Sequence, residues 1–374
     1  MGALSAQISD NSTFEDLSSD SLKTSIPYYS GFQDYFSFRI PTLIKSEKAL
    51  IAFAEGRKNS TSDFGDIDLV YRRSLDEGKT WEPLQLLFDQ DTLAVQNSVP
   101  IYVTSENKVV LLFNTSSLSE HDVLNKDYSP EEERRAFVTS SADDGETWET
   151  PKEITRDVKL KKWRWHSFGP VHGIELQFSE HRGRLIAPVA ISIGKGNKVY
   201  SMALVYSDDK GASWNIGAVD ANLTDAVLAN ETTIVELVDG RIYVNTRDQN
   251  GGSLEKNRGE TYSSDGGLTF SDTIVESDKF PSPIVQSSLL RWSFKDKEKK
   301  NMLLFSTPSH VDKRLDLIVM ASYDESISWK PLFKIHDGSS AYSDMVKLNE
   351  KTLGVIYETD DYKKILFTRV FMTD

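Results

Sequence analysis

Ser74-Leu75-Asp76-Glu77-Gly78-Lys79-Thr80-Trp81 is the stretch on which the fold turns, because the chain writes it repeatedly. It returns as Ser141-Ala142-Asp143-Asp144-Gly145-Glu146-Thr147-Trp148, then as Ser207-Asp208-Asp209-Lys210-Gly211-Ala212-Ser213-Trp214, then as Ser263-Ser264-Asp265-Gly266-Gly267-Leu268-Thr269-Phe270. A fifth copy, Ser322-Tyr323-Asp324-Glu325-Ser326-Ile327-Ser328-Trp329, has Ser326 where the others have glycine. The shared pattern S-x-D-x-G-x-[TS]-[WF] describes a turn. The aspartate caps backbone amides, the glycine supplies a positive φ, and the aromatic packs back into the core of its own sheet. Each copy follows an apolar run, such as Ile67–Tyr71, Met202–Tyr206 or Leu317–Ala321. The turn therefore reads as the hairpin connection between two antiparallel strands.

The motif aspartates stand 67, 66, 56 and 59 residues apart. That period suits one four-stranded sheet per repeat, and radial repetition of such sheets is a propeller. About six repeats fill the chain, helical periodicity is scarce, and Gly, Asn, Asp and Ser punctuation is dense. The expectation is an all-β chain, a six-bladed β-propeller over residues 26–374 with residues 1–25 as an N-terminal extension. The last strand, Lys364–Phe371, is expected to help close the ring. The motif aspartates are structural in this reading; they define the architecture and do not locate the chemistry.

Composition excludes several classes of function. The chain has 374 residues, no cysteine, and 43 basic against 57 acidic residues, a net charge of −14. Disulfides and thiolate metal sites are ruled out, and so is a general attraction for nucleic acid or an anionic membrane. No apolar run of about 18 residues is present to span a membrane. An anionic ligand would need a local basic cluster working against the global field. The opening residues have neither the basic nor the apolar region of a signal peptide. Met1-Gly2 reads as an expression start from which a native leader has been removed.

The turn motif is the Asp-box, and the chain resembles the sialidase (neuraminidase) superfamily. Ser37-Phe38-Arg39-Ile40-Pro41 matches the F/Y-R-I-P signature that opens sialidase domains. It is followed by Leu50-Ile51-Ala52-Phe53-Ala54-Glu55-Gly56-Arg57, then by Ser62-Asp63-Phe64-Gly65-Asp66-Ile67-Asp68, then by the first Asp-box. That succession is similar to the first blade of bacterial and animal lysosomal-type exo-α-sialidases. The resemblance runs from about residue 30 to the C-terminus.

The resemblance implies a set of site residues. A sialic acid carries a carboxylate on its anomeric carbon, and arginine holds such a group through charge-assisted bidentate bonds without losing its proton. The family's three arginines match Arg39, Arg247 in Ile242-Tyr243-Val244-Asn245-Thr246-Arg247, and Arg314 in His310-Val311-Asp312-Lys313-Arg314. Its tyrosine nucleophile matches Tyr342, the glutamate that serves it matches Glu231, and its general acid matches Asp63. Asp66 and Asp68 are assigned to structure. Glu358 matches a glutamate that supports the first arginine, and Arg57 matches an arginine at the pocket edge whose role could equally be structural. Gln286-Ser287-Ser288 and Phe168-Gly169-Pro170-Val171-His172-Gly173 resemble segments near the pocket without assigned chemistry. His166 and His172 could line the entrance, but a structural role is the stronger reading.

The implied activity is retaining exo-α-sialidase hydrolysis of sialylated glycans, with no cofactor and no metal. Two other readings stay open. One is a trans-sialidase, or an enzyme preferring the deaminated sialic acid KDN; the other is a non-catalytic sialoglycan-binding propeller, for which the arginines alone would suffice. The expected setting is secreted, periplasmic or lysosomal. Sequons such as those at Asn11 and Asn222 would matter only in a eukaryotic secretory host.

Overall fold

Every copy of the turn motif lies where the third strand of a sheet hands over to the fourth. The computed structural model describes residues 22–196, 200–220, 227–251, 257–294 and 300–372. In the first copy, Asp76 Oδ1 accepts the N–H groups of Lys79 (3.0 Å) and Thr80 (2.9 Å), and Oδ2 accepts the Thr80 hydroxyl (2.7 Å). The Ser74 hydroxyl donates to Asp76 Oδ1 (2.8 Å) and accepts the Gly78 N–H (2.7 Å). Asp143, Asp209, Asp265 and Asp324 each accept the N–H and hydroxyl four residues ahead in the same way. One carboxylate thus satisfies the amides that the reversal would otherwise leave unpaired.

The described residues are all-β, with two short α-helices at Glu120–Asn125 and Thr155–Val158. The first unit is Ser37–Lys45, Leu50–Arg57, Ile67–Ser74 and Gln85–Phe88, joined antiparallel in that order. The second runs from Ala94–Val103 to Lys152–Glu153, the third from Trp163–Phe168 to Asn215–Val219, and the fourth from Ala229–Glu236 to Val275–Ser277. The fifth begins at Ser288–Ser293 and ends in the long strand Lys330–Asn349. That strand pairs with Leu315–Ser322 over its first half and with Thr352–Thr359 over its second. The last unit is completed by Lys364–Phe371 and by Leu22–Tyr29 from the start of the chain. Of the segment read as an N-terminal extension, residues 1–21 lie outside the described residues, and residues 22–25 open the strand Leu22–Tyr29. The sequons at Asn11 and Asn222 also lie outside the described residues.

The core is distributed along the seams between units. One cluster joins the first and second units (Ile51, Phe53, Leu111, Phe113), another the second and third (Val110, Leu112, Val189, Val205), and the series continues to the fifth and sixth. A further cluster packs Leu43 and Ala52 of the first unit against Ile356 and Phe367 of the sixth. Each large apolar side chain so buried contributes roughly 1.5–3 kcal/mol.

The Asp-box aromatics sit in these seams as well, and not in the core of their own sheet as the sequence reading places them. Trp81 meets Phe367 edge-on at 5.5 Å, and Trp148 meets Phe53 at 5.7 Å. The glycines follow the same logic. A Cβ on Gly78 would fall 2.0 Å from the Phe367 ring, and one on Gly145 2.5 Å from Ile51. The turn is therefore pressed against the preceding unit as well as folded on itself. In the fifth copy Ser326 takes the same left-handed conformation (φ 73°), and its hydroxyl finds Tyr262 of the preceding unit at 3.1 Å. That contact explains how the glycine could be replaced there.

The Asp76 carboxyl is held down to about 2: burial pushes it up, but the bonds donated by Thr80, Ser74 and Lys79 outweigh that. A carboxyl depressed on folding stabilises above its unfolded pKa and loses that contribution as pH falls through the folded one. Asp76→Ala should therefore cost roughly 1–2 kcal/mol, like loss of a helix cap, and lower Tm by a few degrees at pH 7. The difference between variant and wild type should shrink as pH falls from about 4 to about 2. Thermal melts across that range check both; a pH-independent difference would show that the carboxylate's charge is immaterial.

Candidate active site

Arg39 emerges from a break in its own ladder. The pairing of Ser37–Lys45 with Leu50–Arg57 shifts between Arg39 and Thr42, and Ile40 sits at φ 57°. A β-branched residue in the left-handed region is an outlier that its surroundings must enforce. Glu358, from the strand Thr352–Thr359, does so. Its Oε1 accepts Arg39 Nε (2.7 Å) and the Ile40 N–H (2.8 Å), and its Oε2 accepts Arg39 Nη2 (3.1 Å) and the Tyr342 N–H (3.3 Å). One buried carboxylate thus grips the arginine fork, the strained peptide and the backbone of Tyr342.

Two further ladder breaks bring up the next residues. The pairing of Ala229–Glu236 with Ile242–Asp248 shifts between Ala229 and Thr232, and that of the long strand with Thr352–Thr359 shifts between Ser340 and Ser343. Glu231 and Tyr342 lie in those shifts. The Tyr342 hydroxyl donates to Glu231 Oε1. Arg247 Nη1 donates to Glu231 Oε2 (2.7 Å) and to the Tyr342 oxygen (3.2 Å). Burial and the Glu231 charge push the Tyr342 phenol well above its ordinary pKa, while Arg247 and Arg314 pull the other way. The guanidiniums of Arg39 and Arg314 each lie 5.6 Å from the centre of the Tyr342 ring.

Asp63 stands on the loop between Leu50–Arg57 and Ile67–Ser74, its side chain 79% exposed. Arg57 Nη2 lies 2.7 Å from Asp63 Oδ1, Arg39 Nη1 lies 3.7 Å from it, and Gln96 donates to the Asp63 carbonyl at 2.7 Å. Desolvation within the cleft walls pushes the Asp63 carboxyl up, but Arg57, Arg39 and Arg314 outweigh it and hold it below the usual range. Arg57 is a buried wall residue, not a rim residue. Its Nη2 also bonds Glu55 at 2.7 Å, and its Nη1 bonds the Thr61 carbonyl at 2.6 Å.

These residues meet in one cleft of about 430 Å³, lined by Arg39, Arg57, Asp63, Glu231, Arg247, Arg314 and Tyr342, with Glu358 behind. Asp66 and Asp68 lie elsewhere. Lys58 Nζ is 3.1 Å from each and 3.6 Å from Asp89. Among the described residues this is the one acidic cluster with metal-like spacing, and the lysine ammonium occupies its charge balance. His166 and His172 do not line the cleft. His166 is buried beside Asn114 (3.2 Å), with its pKa pushed down to about 3 chiefly by burial, and His172 pairs with Asp344.

Several wall residues escaped the sequence reading. Glu55 could have been found, because Glu55 and Arg57 share a strand face at i, i+2. Leu118, Ser119, Glu120 and His121 come from the long connection between Lys108–Ser116 and Arg135–Ser141, which carries no motif and holds a short helix capped by Ser119 onto the Asp122 N–H at 3.1 Å. Glu120 accepts the Tyr200 hydroxyl at 2.7 Å. Trp165 stacks under Arg134, 4.2 Å from ring centre to guanidinium. Tyr362 sits in a turn where Asp360, Asp361 and Tyr362 all have positive φ. Its ring lies 4.1 Å from the Arg39 guanidinium, and its hydroxyl accepts Arg314 Nη1 at 3.1 Å. It therefore spaces two of the three arginines.

An Asp-box β-sheet protein with an arginine-lined cleft around a tyrosine–glutamate pair is the class that fold and site define. The chain matches the BNR repeat-like domain over residues 48–355 and belongs to that family, within the sialidase superfamily. It is 29% identical to a sialidase of Micromonospora viridifaciens over 88% of this chain and 51% of that protein. It is 28% identical to an exo-alpha-sialidase of Aspergillus fumigatus over 92% of this chain and 82% of that one. Among solved structures, a Hadza microbial sialidase, Hz136, superposes with a TM-score of 0.81 at 24% identity, over 93% of this chain and 68% of that one. The chain thus spans about half the length of the Micromonospora relative.

Removing the Tyr362 hydroxyl frees Arg314 without touching its charge. A bond to a charged group contributes about 1.5 kcal/mol, so Tyr362→Phe should weaken binding of a small carboxylate ligand to the arginine cluster roughly tenfold. Calorimetric titration measures this, and unchanged affinity would show that Arg314 is held by the Ile284 carbonyl alone.

Proposed function

We propose that the chain is a retaining exo-α-sialidase whose six four-stranded units close into a six-bladed propeller. The closed ring is supported by the pairing of Leu22–Tyr29 with Lys364–Phe371 and by the apolar seam between the sixth and first units. Residues 26–374 form the catalytic domain in this reading. The observation that carries the activity is the Tyr342–Glu231–Arg247 contact at the floor of an arginine-lined cleft.

Arg39, Arg247 and Arg314 take the substrate carboxylate. A carboxylate nucleophile about 4 Å from it would be repelled by about 4 kcal/mol at an effective dielectric of about 20. A neutral phenol is not. Ionising a phenol of ordinary pKa at pH 7 costs about 4 kcal/mol, and burial adds to this. Tyr342 therefore passes its proton to Glu231 as its oxygen bonds the anomeric carbon and the glycosidic bond breaks. Asp63 protonates the departing glycan oxygen, then takes a proton from the water that opens the glycosyl–tyrosine bond, while Glu231 returns its proton to the departing Tyr342 oxygen. In the free cleft the guanidiniums keep Asp63 ionised. The incoming carboxylate neutralises part of that positive field and lets Asp63 regain its proton in the complex.

The partners are sialylated glycans, and the setting is a secreted, periplasmic or lysosomal one. The local cluster of guanidiniums lets a chain of net charge −14 bind an anion. A purely glycan-binding propeller would need the arginines but not a tyrosine hydrogen-bonded to a glutamate.

Incubation with an aryl α-sialoside should release the α-anomer first, seen by proton NMR of the early product; initial β-anomer would mean inversion and end the tyrosine mechanism. Acid catalysis is worth about 10²–10⁴ in rate when the leaving group needs a proton. Asp63→Ala should therefore lose at least about a hundredfold on sialyllactose. It should lose far less on an aryl sialoside with an acidic phenol. Equal losses on both substrates would reassign Asp63 away from general acid.

A further inference from the structure

The strand that carries Tyr342 is held from beneath by a carboxylate that the mechanism does not use. Asp344 lies two residues beyond Tyr342 and is fully buried. Its Oδ2 accepts the N–H groups of Leu43 (3.0 Å) and His172 (3.2 Å). Its Oδ1 accepts His172 Nδ1 (2.6 Å), the Ser288 hydroxyl (2.8 Å) and the Met345 N–H (2.9 Å). The donors come from the first, third, fifth and sixth units, so one side chain ties four units together at the point where they converge.

This matters because the sheet itself does not locate Tyr342. The ladder is broken between Ser340 and Ser343. The backbone there is instead pinned by side chains. The Ser343 N–H donates to Gln286 Oε1 and its carbonyl accepts Gln286 Nε2, both at 3.0 Å, while the Ser343 and Ser306 hydroxyls meet at 2.8 Å. Gln286 and Ser288 belong to the Gln286-Ser287-Ser288 stretch that the sequence reading left without chemistry. A buried carboxylate is strongly unfavourable unless it is paired and fully hydrogen-bonded. Apolar side chains could fill the same space without that cost. Asp344 meets the condition with five donors and with His172 as counter-ion.

We infer that Asp344, with His172 opposite it, is a positioning residue that fixes the Tyr342 oxygen against Glu231 and Arg247. A displacement of about 1 Å in a reacting group can cost about a hundredfold in rate. The inference rests on the proposed sialidase activity, and it predicts an effect on turnover and not on carboxylate binding, because no clamp arginine touches Asp344.

The test compares wild type, Asp344→Asn, His172→Gln and Ser288→Ala. It measures kcat and KM on a fluorogenic α-sialoside, and the rate at which 2,3-difluorosialic acid labels Tyr342, by intact-protein mass. Asp344→Asn turns an acceptor into a donor against existing donors. It should lower kcat by on the order of a hundredfold, with KM within about twofold and labelling slowed by the same factor. Ser288→Ala keeps the carboxylate and should lower both rates several-fold. If Asp344→Asn does not fold, Ser288→Ala and His172→Gln decide by the same readouts. Variants that melt lower yet turn over and label at wild-type rates per folded molecule would reduce Asp344 to scaffolding and overturn the inference. Raised KM at unchanged kcat would overturn it as well. A wild-type protein that neither hydrolyses the sialoside nor is labelled fails at the earlier step, and the functional reading falls first.

Discussion

Like charges have to be held together in one cleft of this molecule, and much else follows from how that is done. Arg39, Arg247 and Arg314 face one cleft, with Arg57 in its wall. Two guanidiniums about 6 Å apart repel by about 3 kcal/mol at an effective dielectric of about 20. The cluster persists because carboxylates stand against its members: Glu358 behind Arg39, Glu231 beside Arg247, Glu55 and Asp63 on Arg57. Glu358 reaches Arg39 from a different unit, which makes that pairing a tertiary bond as well as an electrostatic one. Arg314 has a carbonyl and a phenol instead of a carboxylate. Two other arginines, Arg134 and Arg258, are fully buried with no carboxylate bonded to them, and burial pulls their pKa values down to about 10 and about 9. Arg134 and Arg258 are held by neutral acceptors instead: the His166 carbonyl, Gln96 and Asn97 on the first, Asn245 and the Val285 carbonyl on the second.

The second constraint is directional. Side chains on a regular strand point at the faces of the sheet, and here those faces are the apolar seams. A residue that must reach the cleft has to be turned out of the pleat. Breaks in the ladder at Arg39–Thr42, Ala229–Thr232 and Ser340–Ser343 do this at three positions that line the cleft, as β-bulges do next to active sites elsewhere. Each break removes ladder bonds, and polar side chains replace them: Glu358 on the Ile40 and Tyr342 amides, the Thr246 hydroxyl on the Asn230 amide, Gln286 on Ser343. The conformational strain at Ile40 is the local mark of the same requirement.

The repeat motif and the chemistry divide the labour cleanly. The Asp-boxes organise turns and press them against the preceding unit. The cleft is built from strand ends, the Asp63 loop and the long connection after Lys108–Ser116. Tyr342 is buried while Asp63 is open to solvent, as the shielded nucleophile and the water-exchanging acid of the proposed mechanism require.

The sequence by itself determined the repeat, the all-β class and, through family register, the positions of Arg39, Asp63, Glu231, Arg247, Arg314, Tyr342 and Glu358. Those were legible because a turn has a fixed local grammar and because the F-R-I-P segment is short and specific. Glu55 was legible in principle from strand alternation beside Arg57. Tyr362, Glu120, Trp165 and Asp344 were not, because each acts through neighbours tens to hundreds of residues away and no local pattern records such a contact. Nor could the pattern say that the Asp-box aromatics fill the seams, since a tryptophan after a turn reads the same whichever sheet it covers. Local sequence dictates turns and alternation; which side chains share a charge, a seam or a broken ladder is decided only when separate units converge.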